Sequence, residues 1–403
     1  MSPSDRKVLF LIADGFGDWP LDELDGKTPI EAAYTPHMDE LARTGVVGRC
    51  QTIPQGMAPG SDTANMSLLG FDPARYHTGR GPIEAAAQGL TFDPDDLIWR
   101  MNLVNLTGLA SDGTMLDYSS SHITTAQSTP LIELLQKELG DDTYTFIPGV
   151  QYRHLLVQKG GKHTPDAGLF INPPHDITNK PIAPDLEAFA SSPALNTLLH
   201  KAVALLSGSQ NTTKARSIWP WGQGGPLMLP DFAETFGLKG AVISAVDLIK
   251  GLGLASGMDV LNVDGVTGLL DTNYEGKVAA ALNFLEQGNF VFVHVEAPDE
   301  CGHSGIASDK VEAMARFDSR VVGPLRKALA GRDIAYVVAC DHYTPIVERT
   351  HTTDAVPFLL NYPDCRPSNL AAFSERLADS TGLRIDKGHD LLPWTLRQMG
   401  LAQ

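Results

Sequence analysis

Basic charge is scarce in this chain. Lys and Arg number 31 against 48 Asp and Glu, a formal net charge of −17 over 403 residues. Nucleic-acid binding needs a basic footprint against the phosphates, so the balance argues against that class of partner. It suits a protein that gathers divalent cations, although most such charge is ordinarily a solvated surface. Cysteine is also sparse: Cys50, Cys301, Cys340 and Cys365 are scattered, with no Cys-x-x-Cys pair. That spacing gives neither a zinc knuckle nor a disulfide framework, and it fits a reducing cytoplasm. No apolar run approaches the length of a membrane span. The opening MSPSDRK meets its first apolar run at Val8, and Asp14 interrupts that run too early for a signal peptide. The expectation is a soluble, cytoplasmic protein without nucleic-acid or membrane partners, its oligomeric state unknown. The lysine-containing phosphate loop of common kinases, G-x-x-x-x-G-K-[ST], is absent too.

What is present is an ordinary globular composition, 43% hydrophobic and 20% charged, long enough for two domains. Short apolar, β-branched runs alternate with helical patterns near both ends of the chain. Strands are expected at 8–13, 46–52, 241–244, 260–263, 290–295, 334–340 and 357–360. Helices are expected at 35–44, 61–70, 245–252, 274–285, 311–329 and 391–399. Such alternation implies a mostly parallel sheet covered by helices on both faces. From about Leu90 to Gly208 the texture changes to strand-like runs with two clear helices, at 131–139 and 195–206. The division expected is a discontinuous α/β domain, 1–85 and 210–403, with a smaller α+β domain inserted at 86–209.

Three of the apolar strands end in the same way. Residues 8–13 run into Asp14, 290–295 lead to Asp299, and 334–340 run into Asp341. Ligands of open α/β sheets collect beyond strand carboxyl ends. Any one of these aspartates could be turn chemistry. Asp299 and His303 are four apart, and so share a face if the chain turns helical after Pro298. His342 and His351 follow Asp341 closely. Three carboxylates and three imidazoles exceed one tetrahedral site, so two metal ions are the natural count. Mixed oxygen and nitrogen donors favour Mn²⁺ or Zn²⁺. Ser61, after Pro59-Gly60, is placed to open a helix that stops at Gly70. It could be a plain N-cap, or a nucleophile at the positive end of a helix where phosphate is held. A neighbouring metal would supply what the nucleophile lacks, a means of ionising its hydroxyl near neutral pH.

Together Asp14, Ser61, Asp299, His303, Asp341, His342 and His351 resemble the alkaline phosphatase superfamily. The whole chain is similar to the archaeal-type cofactor-independent phosphoglycerate mutases, through GKTPIEAAYTPHMD, APGSDTANMSLLG, TGRGPIEAA, LKGAVISAVDLIKG, LDTNYEGK, HVEAPDECGH and CDHYTP. The resemblance implies an alkaline-phosphatase-like fold. It implies one metal at Asp299, His303 and His351 and a second at Asp14, Ser61, Asp341 and His342. It also implies a phosphoserine at Ser61, formed from a small phosphorylated metabolite and returned to a different hydroxyl. The expected activity is interconversion of 3-phosphoglycerate and 2-phosphoglycerate without 2,3-bisphosphoglycerate, with the inserted domain closing over the substrate.

One departure bears on the substrate. The similar archaeal mutases carry an Asp-Arg-Arg-Ala-Gly-Arg run in the inserted domain, where this chain reads Leu116-Asp117-Tyr118-Ser119-Ser120-Ser121-His122. Arginine forks are the usual grip on carboxylate and phosphate. Arg80, His122, Arg153, His154 and Lys239 remain as candidate anion contacts, each of which could equally be a surface or salt-bridged residue. The DYSS stretch, with PGVQYRHLLV, resembles a bacterial branch proposed as homoserine kinase, which would use the same serine and metals. That kinase is the alternative expectation, and a plain phosphatase a third.

Overall fold

The computed structural model describes residues 6–401; the start of the N-terminal segment read above, residues 1–5, lies outside them, as do 402–403. Among the described residues the strands are β1 (Lys7–Ala13), β2 (Val46–Cys50), β3 (Leu97–Leu106), β4 (Met115–Asp117), β5 (Tyr144–Ile147), β6 (Arg153–Gln158), β7 (Ser217–Gly224), β8 (Gly240–Ile243), β9 (Asp259–Val260), β10 (Phe290–Val295), β11 (Ile334–Ala339), β12 (Val356–Asn361) and β13 (Arg384–Ile385). The chain divides into two compact units, residues 1–77 with 228–403, and residues 78–227.

The first unit is built on an eight-stranded sheet in the order β13-β2-β12-β11-β1-β10-β8-β9. β1 pairs in parallel with both β10 and β11, and β10 with β8. Pairing is antiparallel on both sides of β12. Val8–Ala13 and every residue of β10 and β11 are buried, as continuous apolar strands covered on two faces should be. Register then does the positioning. Ala13 lies beside Val295 and Ile12 beside Ala339, so the residues following each strand emerge together at one edge of the sheet. That edge receives Asp14, Glu296 and Asp341.

The second unit is an antiparallel sheet around β3, which pairs with β4, β6 and β7, while β5 pairs with β6. Its core gathers Trp99, Met101, Phe146, Leu199 and Trp219, with the Phe189 and Trp219 rings edge-on at 5.3 Å. The units divide at 77/78 and 227/228, wider than the boundaries expected at 85/86 and 209/210. The reason is pairing: Ser217–Gly224 is a strand on β3, and helix Arg80–Ala87 lies against β3 as well. Neither carries periodicity that announces it. The single helix expected over 311–329 begins earlier and runs without interruption through Ala307–Phe317, a π turn Asp318–Val322 and Gly323–Ala328. Pro324 accounts for the π turn, because it offers no N–H and crowds the carbonyl one turn earlier.

Candidate metal centre

Ser61 is the first helical residue of Ser61–Leu68, and Gly60, not Ser61, occupies the N-cap. Its hydroxyl therefore does no capping. Ser61 Oγ lies 3.1 Å from His342 Nε2. The same imidazole nitrogen is 3.5 Å from Asp14 Oδ1 and 3.5 Å from Asp341 Oδ2. Asn65, one turn along the Ser61 helix, donates to Asp341 Oδ2 at 2.8 Å and to the Ser61 carbonyl at 2.9 Å, tying the serine's turn to the β11 edge. The backbone N–H groups of Gly15 and His342 both donate to Asp341 Oδ1 at 2.9 Å.

Beyond β10 the chain enters helix Ala297–Ser304, with Pro298 in its first turn. Asp299 and His303 do share one face. His303 Nε2 is 3.2 Å from Asp299 Oδ2, His351 Nε2 is 3.4 Å from Asp299 Oδ1, and the two imidazole nitrogens are 3.0 Å apart. Gly15 lets the β1 segment pass beside this helix. At φ 61°, a Cβ there would stand 2.5 Å from Asp299 Oδ1 and 2.8 Å from Asp299 Cα, so only glycine fits.

Among the described residues three donor groups could each hold an ion, with donor atoms within 4.8 Å of one another: Asp299, His303 and His351; Asp14, Asp299 and His342; and Asp14, His294 and Asp341. His294 was not singled out from the sequence, although it is the one polar residue inside the apolar FVFVHV strand. Its Nδ1 meets Ser244 Oγ at 3.2 Å. Its Nε2 lies 3.2 Å from Asp14 Oδ2, yet that nitrogen and Asp14 Oδ1 are buried without an acceptable hydrogen bond. Orphaned polar atoms of this kind are expensive in an apolar interior, and divalent cations would satisfy them.

Electrostatics support the same conclusion. Burial, together with the charges of Asp341, Asp299 and Glu296, pushes the Asp14 carboxyl well above its ordinary range. Burial also opposes ionisation of Asp299 and Asp341. In Asp299 the hydrogen bonds from His303 and His351 more than offset it, and in Asp341 the charges of His342 and His294 do. His294 is pushed down to about 4 by burial, which keeps the imidazole neutral as a metal ligand requires. For His303 burial works downward, but the contact with Asp299 raises it to about 9. Crowded carboxylates beside His294 and His342, both lowered by burial, are what a divalent site looks like without its charge compensation.

The structure gathers all seven residues expected at the centre, Asp14, Ser61, Asp299, His303, Asp341, His342 and His351, in the first unit. The expected anion contacts fare differently. Lys239 directly precedes β8, at the amino ends of the parallel strands. The centre sits beyond their carboxyl ends, about 20 Å away across six residues of strand. Arg80, His122, Arg153 and His154 belong to the second unit. His154 is buried and pushed down to about 3 by burial, with Nδ1 accepting the Gly149 N–H at 3.0 Å; it is a neutral interior residue. Arg80 is half-exposed and lies 3.6 Å from Glu84. Arg153 stacks over Tyr152 at 5.2 Å. Sequence reasoning missed Arg100, which pairs with Glu84 and lies 4.9 Å over the Trp221 ring. An arginine inside a buried strand was the available signal.

Where an arginine-rich run was missing, Asp117 organises the backbone. Burial opposes its ionisation, but hydrogen bonds from Ser119 Oγ (2.7 Å), Ser119 N (2.8 Å) and Ser121 N (2.5 Å) hold it below its ordinary range. Ser120, Ser121 and His122 all take left-handed conformations, with φ of 51°, 63° and 51°. Consecutive residues of this kind are costly outside glycine.

A mostly parallel sheet with carboxylates, imidazoles and a serine converging beyond its carboxyl edge defines an α/β protein with a candidate metal centre. Comparison with known proteins narrows the class. Residues 42–211 match the family model described as 2,3-bisphosphoglycerate-independent phosphoglycerate mutase. A probable 2,3-bisphosphoglycerate-independent phosphoglycerate mutase of Geobacter sulfurreducens is 43% identical, over 97% of this chain and 99% of that one. The 2,3-bisphosphoglycerate-independent phosphoglycerate mutase of Methanosarcina barkeri is also 43% identical, over 96% and 98%. Among solved structures, a protein from Pyrococcus horikoshii matches with a TM-score of 0.81 at 28% identity, covering 99% of this chain and 98% of that one. The chain belongs to the 2,3-bisphosphoglycerate-independent phosphoglycerate mutase family.

Proposed function

We propose that the protein interconverts 3-phosphoglycerate and 2-phosphoglycerate by two-metal phosphoryl transfer through a phosphoserine at Ser61. The observation that carries this is the Ser61 hydroxyl, free of capping duty and 3.1 Å from His342 Nε2, inside a donor set large enough for two ions. In the first half-reaction Ser61 gives up its proton, its Oγ bonds to phosphorus, the bond from phosphorus to the C3 oxygen breaks, and that oxygen takes up a proton. In the second, the C2 hydroxyl loses its proton and attacks the phosphoserine, the bond from Ser61 Oγ to phosphorus breaks, and Ser61 regains a proton. The helix N-terminus at Ser61 favours the transferring group's negative charge.

Asp299, His303 and His351 are assigned to one ion, and Asp14, Ser61, Asp341 and His342 to the other, with His294 added at the second. Bound divalent ions, Mn²⁺ or Zn²⁺ by donor chemistry, would ionise the serine hydroxyl and neutralise charge on the phosphoryl group. The inserted unit, which carries Arg80 and Arg153, is assigned to covering the substrate. Cys50, Cys301, Cys340 and Cys365 are all unpaired, in keeping with a reducing cytoplasm.

The test is a side-by-side assay of 3-phosphoglycerate isomerisation and ATP-dependent homoserine phosphorylation, on Mn²⁺-loaded enzyme. Isomerisation is expected, with its rate abolished in Ser61→Ala while the fold persists. Homoserine turnover without isomerisation would replace the mutase reading with the kinase, and full activity of Ser61→Ala would remove the covalent mechanism.

A further inference from the structure

The geometry points to Lys310, with Asp18, as a positioning residue that fixes the separation of the two halves of the metal centre; this rests on the two-metal reading above. Lys310 Nζ is fully buried and donates to the Asp18 carboxylate at 2.8 Å, the Thr344 carbonyl at 2.8 Å and the Gly17 carbonyl at 3.2 Å. An ammonium has three donors, and all three are used. Gly17 lies in the segment after β1 that carries Asp14. Thr344 lies in the segment after β11 that carries Asp341 and His342. Lys310 belongs to helix Ala307–Phe317, which directly follows the helix carrying Asp299 and His303. One ammonium thus ties together the three segments that follow β1, β10 and β11 and bear Asp14, Asp299 with His303, and Asp341 with His342.

Asp18 extends the strap. Its carboxylate also accepts the N–H groups of Trp19 at 2.9 Å and Ile346 at 3.1 Å. Thr344 then passes the constraint to the centre itself, since its Oγ1 lies 2.5 Å from Asp299 Oδ1 and 3.3 Å from His342 Nδ1. A hydroxyl has one proton. Given to the Asp299 carboxylate, it leaves the same oxygen to accept from His342 Nδ1–H. That tautomer keeps the His342 Nε2 lone pair directed at Ser61 and Asp14, as a metal ligand needs. Thr344 therefore touches one donor from each half, and Lys310 holds Thr344. Stability alone explains the pair poorly, because buried ion pairs are commonly no more stabilising than apolar replacements.

The experiment measures Mn²⁺ binding by titration calorimetry to the parent protein, Lys310→Met, and the double variant Lys310→Met with Asp18→Asn. The double variant leaves no buried charge without a partner, and its fold is checked by circular dichroism. Two Mn²⁺ per parent chain are expected, with affinity weakened about tenfold to a hundredfold in a folded variant. In the isomerisation assay kcat should fall while KM holds. Mn²⁺ affinity within twofold of the parent in a folded variant overturns the positioning role, because a purely structural pair would lower thermal stability alone. Failure of both variants to fold also overturns it, making the pair a requirement of the fold. A parent that binds no Mn²⁺ sinks the two-metal reading instead.

Discussion

At the scale of single residues, His303 shows how the centre should respond to pH. Burial pushes this imidazole down, but the Asp299 contact raises it to about 9 in the metal-free protein. Its folded value thus exceeds the ordinary imidazole value. The stabilisation from the pair is fully present below about 6.5 and is lost as pH rises through about 9. A metal at His303 must expel that proton. Mn²⁺ affinity should therefore rise by about tenfold per pH unit up to about 9, with about one proton released per ion from His303 over that range. Calorimetric titrations in buffers of different ionisation enthalpy would count the protons. A pH-independent affinity would place the metal away from His303. Burial and the neighbouring carboxylates raise Asp14 in the same direction.

At the scale of elements, Asp318 stands at the π turn and reaches a different helix. It is fully buried, and its carboxylate accepts the backbone N–H groups of Met38 at 2.7 Å and His37 at 3.2 Å. It therefore caps helix Pro36–Thr44 from outside, where Thr35 makes no capping bond. Asp318→Ala should leave two buried N–H groups without a partner and cost about 2 kcal/mol. Urea denaturation would read that loss, while the isomerisation rate stays within about twofold at 25 °C, because Asp318 touches none of the donors. A cap supplied from 280 residues away leaves no mark in the sequence around Thr35. The strands β1, β10 and β11 were legible for the opposite reason. A strand buried on both faces must be continuously apolar, and the aspartate that ends it stands out. His294 was legible in principle, the lone imidazole in such a run, but an apolar context invites reading it as core. Ser217–Gly224 was not, since SIWPWGQG carries a proline and two glycines and gains its strand character only from β3. The π turn at 318–322 was written in Pro324, while the long apolar stripe around it read as a plain helix.

At the scale of the whole molecule, the two units differ in what holds them. Among the described residues every candidate ligand, including His294, comes from the first unit, and none from residues 78–227. The second unit instead rests on its own apolar core of Trp99, Trp219, Phe189 and their neighbours. Metal binding should therefore stabilise one unit by mass action and leave the other unchanged. At free Mn²⁺ a thousandfold above its dissociation constant, one site contributes about 4 kcal/mol to the unit that contains it. Chelation should lower the unfolding temperature of the first unit by several degrees, splitting a calorimetric transition or widening an existing split. Amide exchange in β3 and β6 should stay as it was, while exchange in β1, β10 and β11 accelerates. Equal destabilisation of both sheets on chelation would mean that the units unfold as one cooperative body. The metal centre would then set the stability of the inserted unit as well as of the sheet that carries it.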